Sequence, residues 1–366
     1  MAEPLKNVYN ELFFEKFLNT VKEVYPKINS TKFLSDIYKD HWKEKELKQR
    51  MYHISSVLFK HLPNNFVIAT KIIVQMTEVL KTKEESMSFE YMFLADYIEK
   101  YGLDNYQTSI SAMEEITKFT SCEFAVRPFI FKYPEQMRSQ LLEWSQHAHP
   151  MVRRLASEGS RPRLPWTMRL PSFQKDPSPI IPILKNLKND PSEMVRRSVA
   201  NNLNDISKDN PEIVISLAIK WKGKSKETDK LIKHACRTLL KEGNREIMKL
   251  FGFRTIKEIK ISDFQVLTPK IKVGNSLEFS FVLKNKSKTT SKIRLECGIY
   301  YKKANGILSR KVFKISEKEY LANSITTIKR KQPFKIITTR KLYSGTHQIS
   351  LIINGNEFEK LDFELL

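Results

Sequence analysis

The feature that most restricts what this chain can fold into is a helix written twice. Pro150-Met151-Val152-Arg153-Arg154-Leu155-Ala156 returns as Pro191-Ser192-Glu193-Met194-Val195-Arg196-Arg197-Ser198-Val199-Ala200, with Val152 and Val195 43 residues apart. A weaker copy, Leu231-Ile232-Lys233-His234-Ala235-Cys236-Arg237, follows 37 residues on, counted from Val195 to Ile232. These spacings bracket the period of about 40 residues that marks two-helix HEAT-type repeats. Neighbouring repeats in such a stack present equivalent positions side by side. Arg153 and Arg154, Arg196 and Arg197, and Lys233 and Arg237 are therefore predicted to line one surface. A row of fixed cations suits a polyanion.

The charge distribution points the same way. The 366 residues carry 63 Lys and Arg against 41 Asp and Glu, a formal charge of +22. Residues 1–120 hold 16 cations against 17 anions, residues 121–256 hold 25 against 14, and residues 257–366 hold 22 against 10. Basicity confined to part of a chain implies a patch, and nucleic acid fits it better than a membrane because no lipid-inserting amphipathic tail accompanies the arginines. Cys122, Cys236 and Cys297 are widely spaced and odd in number, which gives neither a disulfide framework nor a metal-ligand spacing. No signal-peptide core and no run near the ~20 apolar residues of a membrane span stand in the sequence. The expectation is a cytoplasmic, monomeric protein, on the nucleoid when bound to DNA. No Gly-rich phosphate loop or H-E-x-x-H motif is present, so no cofactor and no metal are expected.

Up to residue 253 the apolar pattern is helical. Leu47, Met51, Ile54, Leu58 and Leu62 form one stripe, Phe66 to Leu80 and Met87 to Tyr101 read likewise, and Gly102 stops the last. Pro63, Pro134, Pro150, Pro191 and Pro211 fall at seams where helices begin or end. Six prolines between Arg161 and Pro182 predict an ordered loop or short helix crossing the scaffold. Beyond residue 253 the period shortens to two. Ser276–Leu283, Ile293–Tyr300 and His347–Ile353 read as strands, and Asn305-Gly306 and Asn354-Gly355 as tight hairpin turns. The fold class is thus multidomain: an all-α HEAT-like solenoid over 1–256, then an all-β immunoglobulin-like sandwich over 257–366, without the paired cysteines. The boundary is placed between Arg254 and Ile261.

Three acids stand out in the repeat region. Thr120 to Glu123 matches a capping box, with Arg127 one turn on as an ion-pair partner for Glu123. Glu158 lies four residues after Arg154 and beside Gly159, at a helix end where the dipole disfavours an acid. Asp205 follows the Arg196/Arg197 helix and could cap the next one. Singly, each has a structural explanation.

Their surroundings are more specific. Thr120–Phe129, Val152–Trp166 and Val195–Asp205, with the opening Ala2–Lys6 and the tail segment Pro333–Asn354 including Ile337–Arg340, resemble the AlkC-type DNA alkylation-repair glycosylases. The block from Glu158 to Trp166 is the most distinctive. The resemblance implies a HEAT-like-repeat glycosylase with an appended immunoglobulin-like domain. Such an enzyme hydrolyses the N-glycosidic bond of N3-alkylated bases, 3-methyladenine and 3-methylcytosine, in duplex DNA. It also implies that Glu123, Glu158 and Asp205 form the acidic cluster at the lesion, that Trp166 packs near it, and that the base is reached in place in a bent duplex. The chemistry suits the residues, since an N3-alkylated base leaves readily and carboxylates stabilise an oxocarbenium-like sugar and orient water. Arg153, Arg154, Arg161, Arg163, Arg169, Arg196, Arg197 and Lys233 are candidate phosphate contacts, some of which must pair with the acids instead. For Trp166 a role as core anchor of its loop is equally open. Lys329, Arg330, Lys331, Arg340 and Lys341 either press the β domain on DNA or protect an edge strand.

The main rival is a non-catalytic HEAT scaffold binding nucleic acid or an acidic protein. It accounts for the arginines but leaves acids at helix ends beside the basic row, where they would repel a polyanion. A related repeat glycosylase for bulky or N7-alkylated purines lacks the immunoglobulin-like tail.

Overall fold

A computed structural model describes residues 3–83, 89–253, 257–336 and 340–366. Ala2 of the opening segment, Met87 at the expected helix start, residues 254–256 at the expected boundary, and 337–339 of the tail segment lie outside the described residues.

The first helices are α1 (Glu11–Val24), α2 (Ser30–Ile37), α3 (Leu47–His61), α4 (Phe66–Lys83), α5 (Met92–Tyr101) and α6 (Tyr106–Ile116). The repeat region continues with α7 (Val126–Lys132), α8 (Pro134–Trp144), α9 (Pro150–Gly159), α10 (Pro171–Lys175), α11 (Ile181–Leu187), α12 (Glu193–Ile206), α13 (Pro211–Trp221) and α14 (Lys226–Ala235). Sequence dictates the boundaries. Asn10 and Asn29 cap α1 and α2 by accepting from the Phe13 and Lys32 amides at 2.9 and 3.0 Å. Pro134 and Pro150 occupy the first turns of α8 and α9, where a missing N–H costs nothing. The α3 stripe buries Met51, Ile54 and Leu58 as its period requires. Gly102 is the C-cap of α5.

The helices stack in two layers. In one, α3 packs on α5 and α12 packs between α9 and α14; in the other, α4 packs on α6, while α8 and α11 back α9 and α12. The three sequence copies therefore stand in one row. The third is shorter than the alignment suggested, because α14 ends at Ala235 and Arg237 opens a separate helix. Gly159 closes α9 for a packing reason: a Cβ there would lie 2.5 Å from Val126 Cγ1 on α7.

By compactness the chain divides into residues 1–214 with 221–235, and residues 215–220 with 236–366. The second unit contains α15 (Arg237–Glu242), α16 (Arg245–Leu250) and eight strands among the described residues. These are β1 (Ile259–Val266), β2 (Lys270–Ile271), β3 (Ser276–Asn285), β4 (Ser291–Lys302), β5 (Leu308–Tyr320), β6 (Ile325–Pro333), β7 (Gly345–Ile353) and β8 (Asn356–Leu365). A sheet β1-β3-β6 faces a sheet β2-β8-β7-β4-β5, and Phe279, Phe281, Leu295, Ile299, Ile349 and Leu351 fill the space between them. Both Asn-Gly pairs form the expected hairpins, β4–β5 and β7–β8. The second turn also docks α15. Gly243, its left-handed cap, and Gly355, at φ 81°, approach so closely that a Cβ on Gly355 would lie 2.5 Å from Gly243 Cα. That approach helps explain why residues 236–253 group with the sandwich.

Candidate active site

The site is assembled from the ends of α9 and α12, the loop that follows α9, and the turn that leads into α7. Glu158, in the last turn of α9, is 6% exposed, and Asp205, in the last turn of α12, is 2% exposed. Asp205 thus ends the same helix that carries Arg196 and Arg197 and does not begin the next. One guanidinium joins the two acids. Arg161 Nη1 donates to Glu158 Oε1 at 2.6 Å, and its Nε donates to Asp205 Oδ2 at 2.8 Å. Ser198 Oγ donates to Glu158 Oε2 at 2.5 Å, and Lys208 Nζ to Asp205 Oδ1 at 3.0 Å. Two carboxylates buried this close would repel each other without a shared cation. Burial lowers the affinity of Arg161 for its proton, but Glu158 and Asp205 outweigh it and hold the guanidinium pKa above its usual value.

Glu123 reaches the cluster from a turn, not from a helix. The segment before α7 is non-helical, so Thr120 and Glu123 do not make a capping box; Ser121 Oγ instead donates to Glu123 Oε2 and accepts from Arg154 Nη1 at 3.2 Å. The Glu123 carboxylate pairs with Arg154 of α9 at 2.8 Å. Arg127, the partner expected from its spacing, is fully buried and holds backbone carbonyls: Nη1 donates to Gly159 and Arg161 at 2.9 Å each, and Nε to Met168 at 2.7 Å. Burial, reinforced by Arg161, pushes its pKa down to about 10, while Asp205, Glu123 and Glu158 pull it back up. All three acids therefore lie within electrostatic reach of one side chain. Cys122 is buried, and desolvation together with Glu123 pushes its thiol well above the usual range, so it packs and does not react.

Trp166 lies on the loop that Arg127 ties down. It is 65% exposed with φ +69°, a conformation uncommon for a bulky residue, so it is no core anchor.

The eight candidate phosphate-binding cations separate by partner. Arg153 grips Asp190 through Nε at 2.5 Å and the His147 and Ala148 carbonyls through Nη1 at 2.9 and 2.7 Å. Arg196 repeats the backbone half of this, donating to the Asp190 and Pro191 carbonyls at 2.6 and 2.9 Å. Arg154 and Arg161 hold the acids described above, and Arg163 Nε donates to Asp209 Oδ2 at 2.7 Å. Arg169, Arg197 and Lys233 are exposed, and Arg169 and Arg197 have no ion pair among the described residues. A cavity of about 390 Å³ between α12 and α14 is lined by Arg196, Arg197, Lys230 and His234 with Glu193 and Glu227. Sequence reasoning missed Ser198, Lys208 and the carbonyl-binding role of Arg127. Nothing in the spacing of Ser198 or Arg127 marks them, since each acts across to another helix or loop, whereas Lys208 stands three residues after Asp205, at the spacing of a helical ion pair.

The helical region matches the family model described as DNA alkylation repair enzyme over residues 30–239. This chain belongs to that family. Residues 260–366 match a second model, the C-terminal Ig-like domain of the uncharacterised protein YhaZ. The YhaZ protein of Bacillus subtilis (strain 168) is 42% identical over 99% of both chains. Among solved structures, the alkylpurine DNA glycosylase AlkC of Pseudomonas fluorescens, bound to DNA containing an abasic site analog, is 34% identical and superposes with a TM-score of 0.92 over the whole of both chains. A helical region followed by an immunoglobulin-like domain is therefore the architecture of this family member. Among the described residues no helix is long and apolar enough to cross a membrane.

Proposed function

We propose that this family member is a monofunctional DNA glycosylase that removes N3-alkylated bases, 3-methyladenine and 3-methylcytosine, from duplex DNA and so begins base excision repair. The observation that carries the reading is the pair of buried acids, Glu158 and Asp205, held by Arg161 in the row of repeat helices, with Glu123 close by and Trp166 exposed on the adjoining loop. A base alkylated at N3 is cationic and needs little help to leave. The remaining barrier is positive charge on the sugar and placement of water, and preorganised carboxylates lower both. Glu123, whose side chain is 15% exposed against 8% and 2% for the others, is assigned to orient water, and Glu158 and Asp205 to stabilise the oxocarbenium-like sugar. Hydrolysis suits the site better than amine attack, because the lysine beside it, Lys208, is engaged with Asp205.

Trp166 is assigned a place beside the lesion, with the base reached in a bent duplex and not extruded. Phosphate contacts are assigned to the outward cations Arg169, Arg197 and Lys233, whereas Arg153, Arg154, Arg161, Arg163 and Arg196 are assigned to hold the site and the repeats in shape. The catalytic region spans 1–256 and the sandwich 257–366, acting as a monomer in the bacterial cytoplasm. The test is incubation with methylated duplex DNA without metal or nucleotide, followed by chromatography of released bases. Free 3-methyladenine with matching abasic sites supports the reading; a substrate left intact overturns it.

A further inference from the structure

The exposed Trp166 is held by more than its own loop. Lys48, on α3 and 118 residues earlier in the chain, places Nζ 2.5 Å from the Trp166 carbonyl oxygen. The same ammonium lies 5.3 Å from the centroids of the Tyr52 and Phe124 rings. On α5, Asp96 and Glu99 both feel its charge. Asp96 is 8% exposed, and its Oδ2 has no hydrogen-bond partner. Burial, with Asp96 adding to it, pushes the Glu99 pKa up to about 7, and Lys48 pulls it down. Lys48, Asp96, Glu99, Ser121 and Phe124 line one small cleft, and Ser121 is the hydroxyl that donates to Glu123. The cleft therefore joins the N-terminal helices to two parts of the proposed site, the Glu123 turn and the Trp166 loop.

We infer that Lys48 is a positioning residue for base excision: its ammonium, beside the Phe124 ring in a cleft it shares with Asp96 and Glu99, fixes the Trp166 backbone in its left-handed conformation. Arg127 anchors the loop on the other side of the tryptophan, through Met168. Two cations thus hold the backbone at Trp166 and two residues beyond it, around a side chain that is 65% exposed. Removing the donor at position 48 frees the strained residue to relax, because a left-handed tryptophan persists only where its surroundings impose it. The inference rests on the assignment of Trp166 to the lesion, but its structural half can be read without DNA.

The test uses Lys48→Met, which keeps the apolar stem against Tyr52 and Phe124, and Lys48→Arg, which keeps the charge. Trp42, Trp144 and Trp221 are buried, so acrylamide quenching of the whole protein reports mainly on Trp166, and Trp166→Phe supplies the background. Lys48→Met is expected to change the Trp166 quenching constant and to slow single-turnover release of 3-methyladenine about tenfold, the scale of one lost charged hydrogen bond. DNA affinity should stay within about twofold, and Lys48→Arg should restore most of both signals. Unchanged quenching overturns the clamp, and changed quenching with an unchanged rate overturns its role in excision. Should Lys48→Met fail to fold, Lys48→Gln is read by the same two criteria. If the wild-type protein itself releases no base, the glycosylase assignment fails, while the quenching result still decides the clamp.

Discussion

The two copies of the repeated helix, α9 and α12, share Val-Arg-Arg and use it differently beyond one common device. The first arginine of each pair does the same work: Arg153 and Arg196 both donate to the carbonyls six and five residues before them, stapling the turn that enters the helix. The second arginines diverge. Arg154 is drawn to Glu123, whereas Arg197 points outward beside the α12–α14 cavity. The acids diverge as well. Where α9 has Glu158, α12 has Asn201, which meets His234 Nε2 of α14 at 3.1 Å, and its acid comes one turn later as Asp205. A repeat can thus reuse its stapling residue unchanged while the residue beside it is turned to a site or a surface.

Arg161 is the strongest link between the copies, so its loss should break the arrangement most. Arg161→Leu leaves two buried carboxylates without their shared cation and should lower stability by about 3–5 kcal/mol, read by chemical denaturation. A smaller loss would mean that the acids are more hydrated than their burial implies. The staples come next. Arg196→Gln should cost about 1–2 kcal/mol and Arg153→Gln more, since it also takes the guanidinium from the Asp190 carboxylate and leaves it the Ser192 amide. Equal losses would show that the Asp190 pair contributes nothing.

The second arginines separate by assay and not by stability. Arg197→Ala should reduce the log–log slope of DNA affinity against salt by about 1 with little change in excision. Arg154→Ala should leave that slope alone and slow excision. An exchange of the two phenotypes would reverse the assignment of site and surface. The smallest effect belongs to Arg163 and Asp209, a partly exposed pair that also joins the copies. The hydrogen bond from Arg163 holds the Asp209 carboxyl below its ordinary 3.8, so this stability is present above that pH and is lost on acidification. Arg163→Gln should therefore be less stable than wild type by a few tenths of a kcal/mol near pH 6, the gap closing as the pH falls below about 4.

Much of the fold was legible because it rests on local chemistry. The 43-residue spacing of Val152 and Val195, prolines at helix starts and the two Asn-Gly turns each constrain the backbone where they stand. For the proposed site, the sequence marked the three acids and the arginines but not how they pair. That Arg161 would hold two acids, that Arg154 would pair with Glu123 and that Arg127 would tie down a loop depend on which groups lie across from them, and the repeat pattern leaves that open. The capping-box reading of Thr120 to Glu123 failed for the same reason: the motif is locally sound, but Glu123 is held in a turn by Ser121 and Arg154. Arg237 misled in the other direction, matching the repeat by spacing although the helix ends two residues before it.

The most direct test is single-turnover release of 3-methyladenine by Asp205→Asn, with DNA affinity measured on the same preparation. The account predicts a fall of about 10²- to 10³-fold in rate with affinity essentially unchanged. Excision at the wild-type rate by this variant would contradict it.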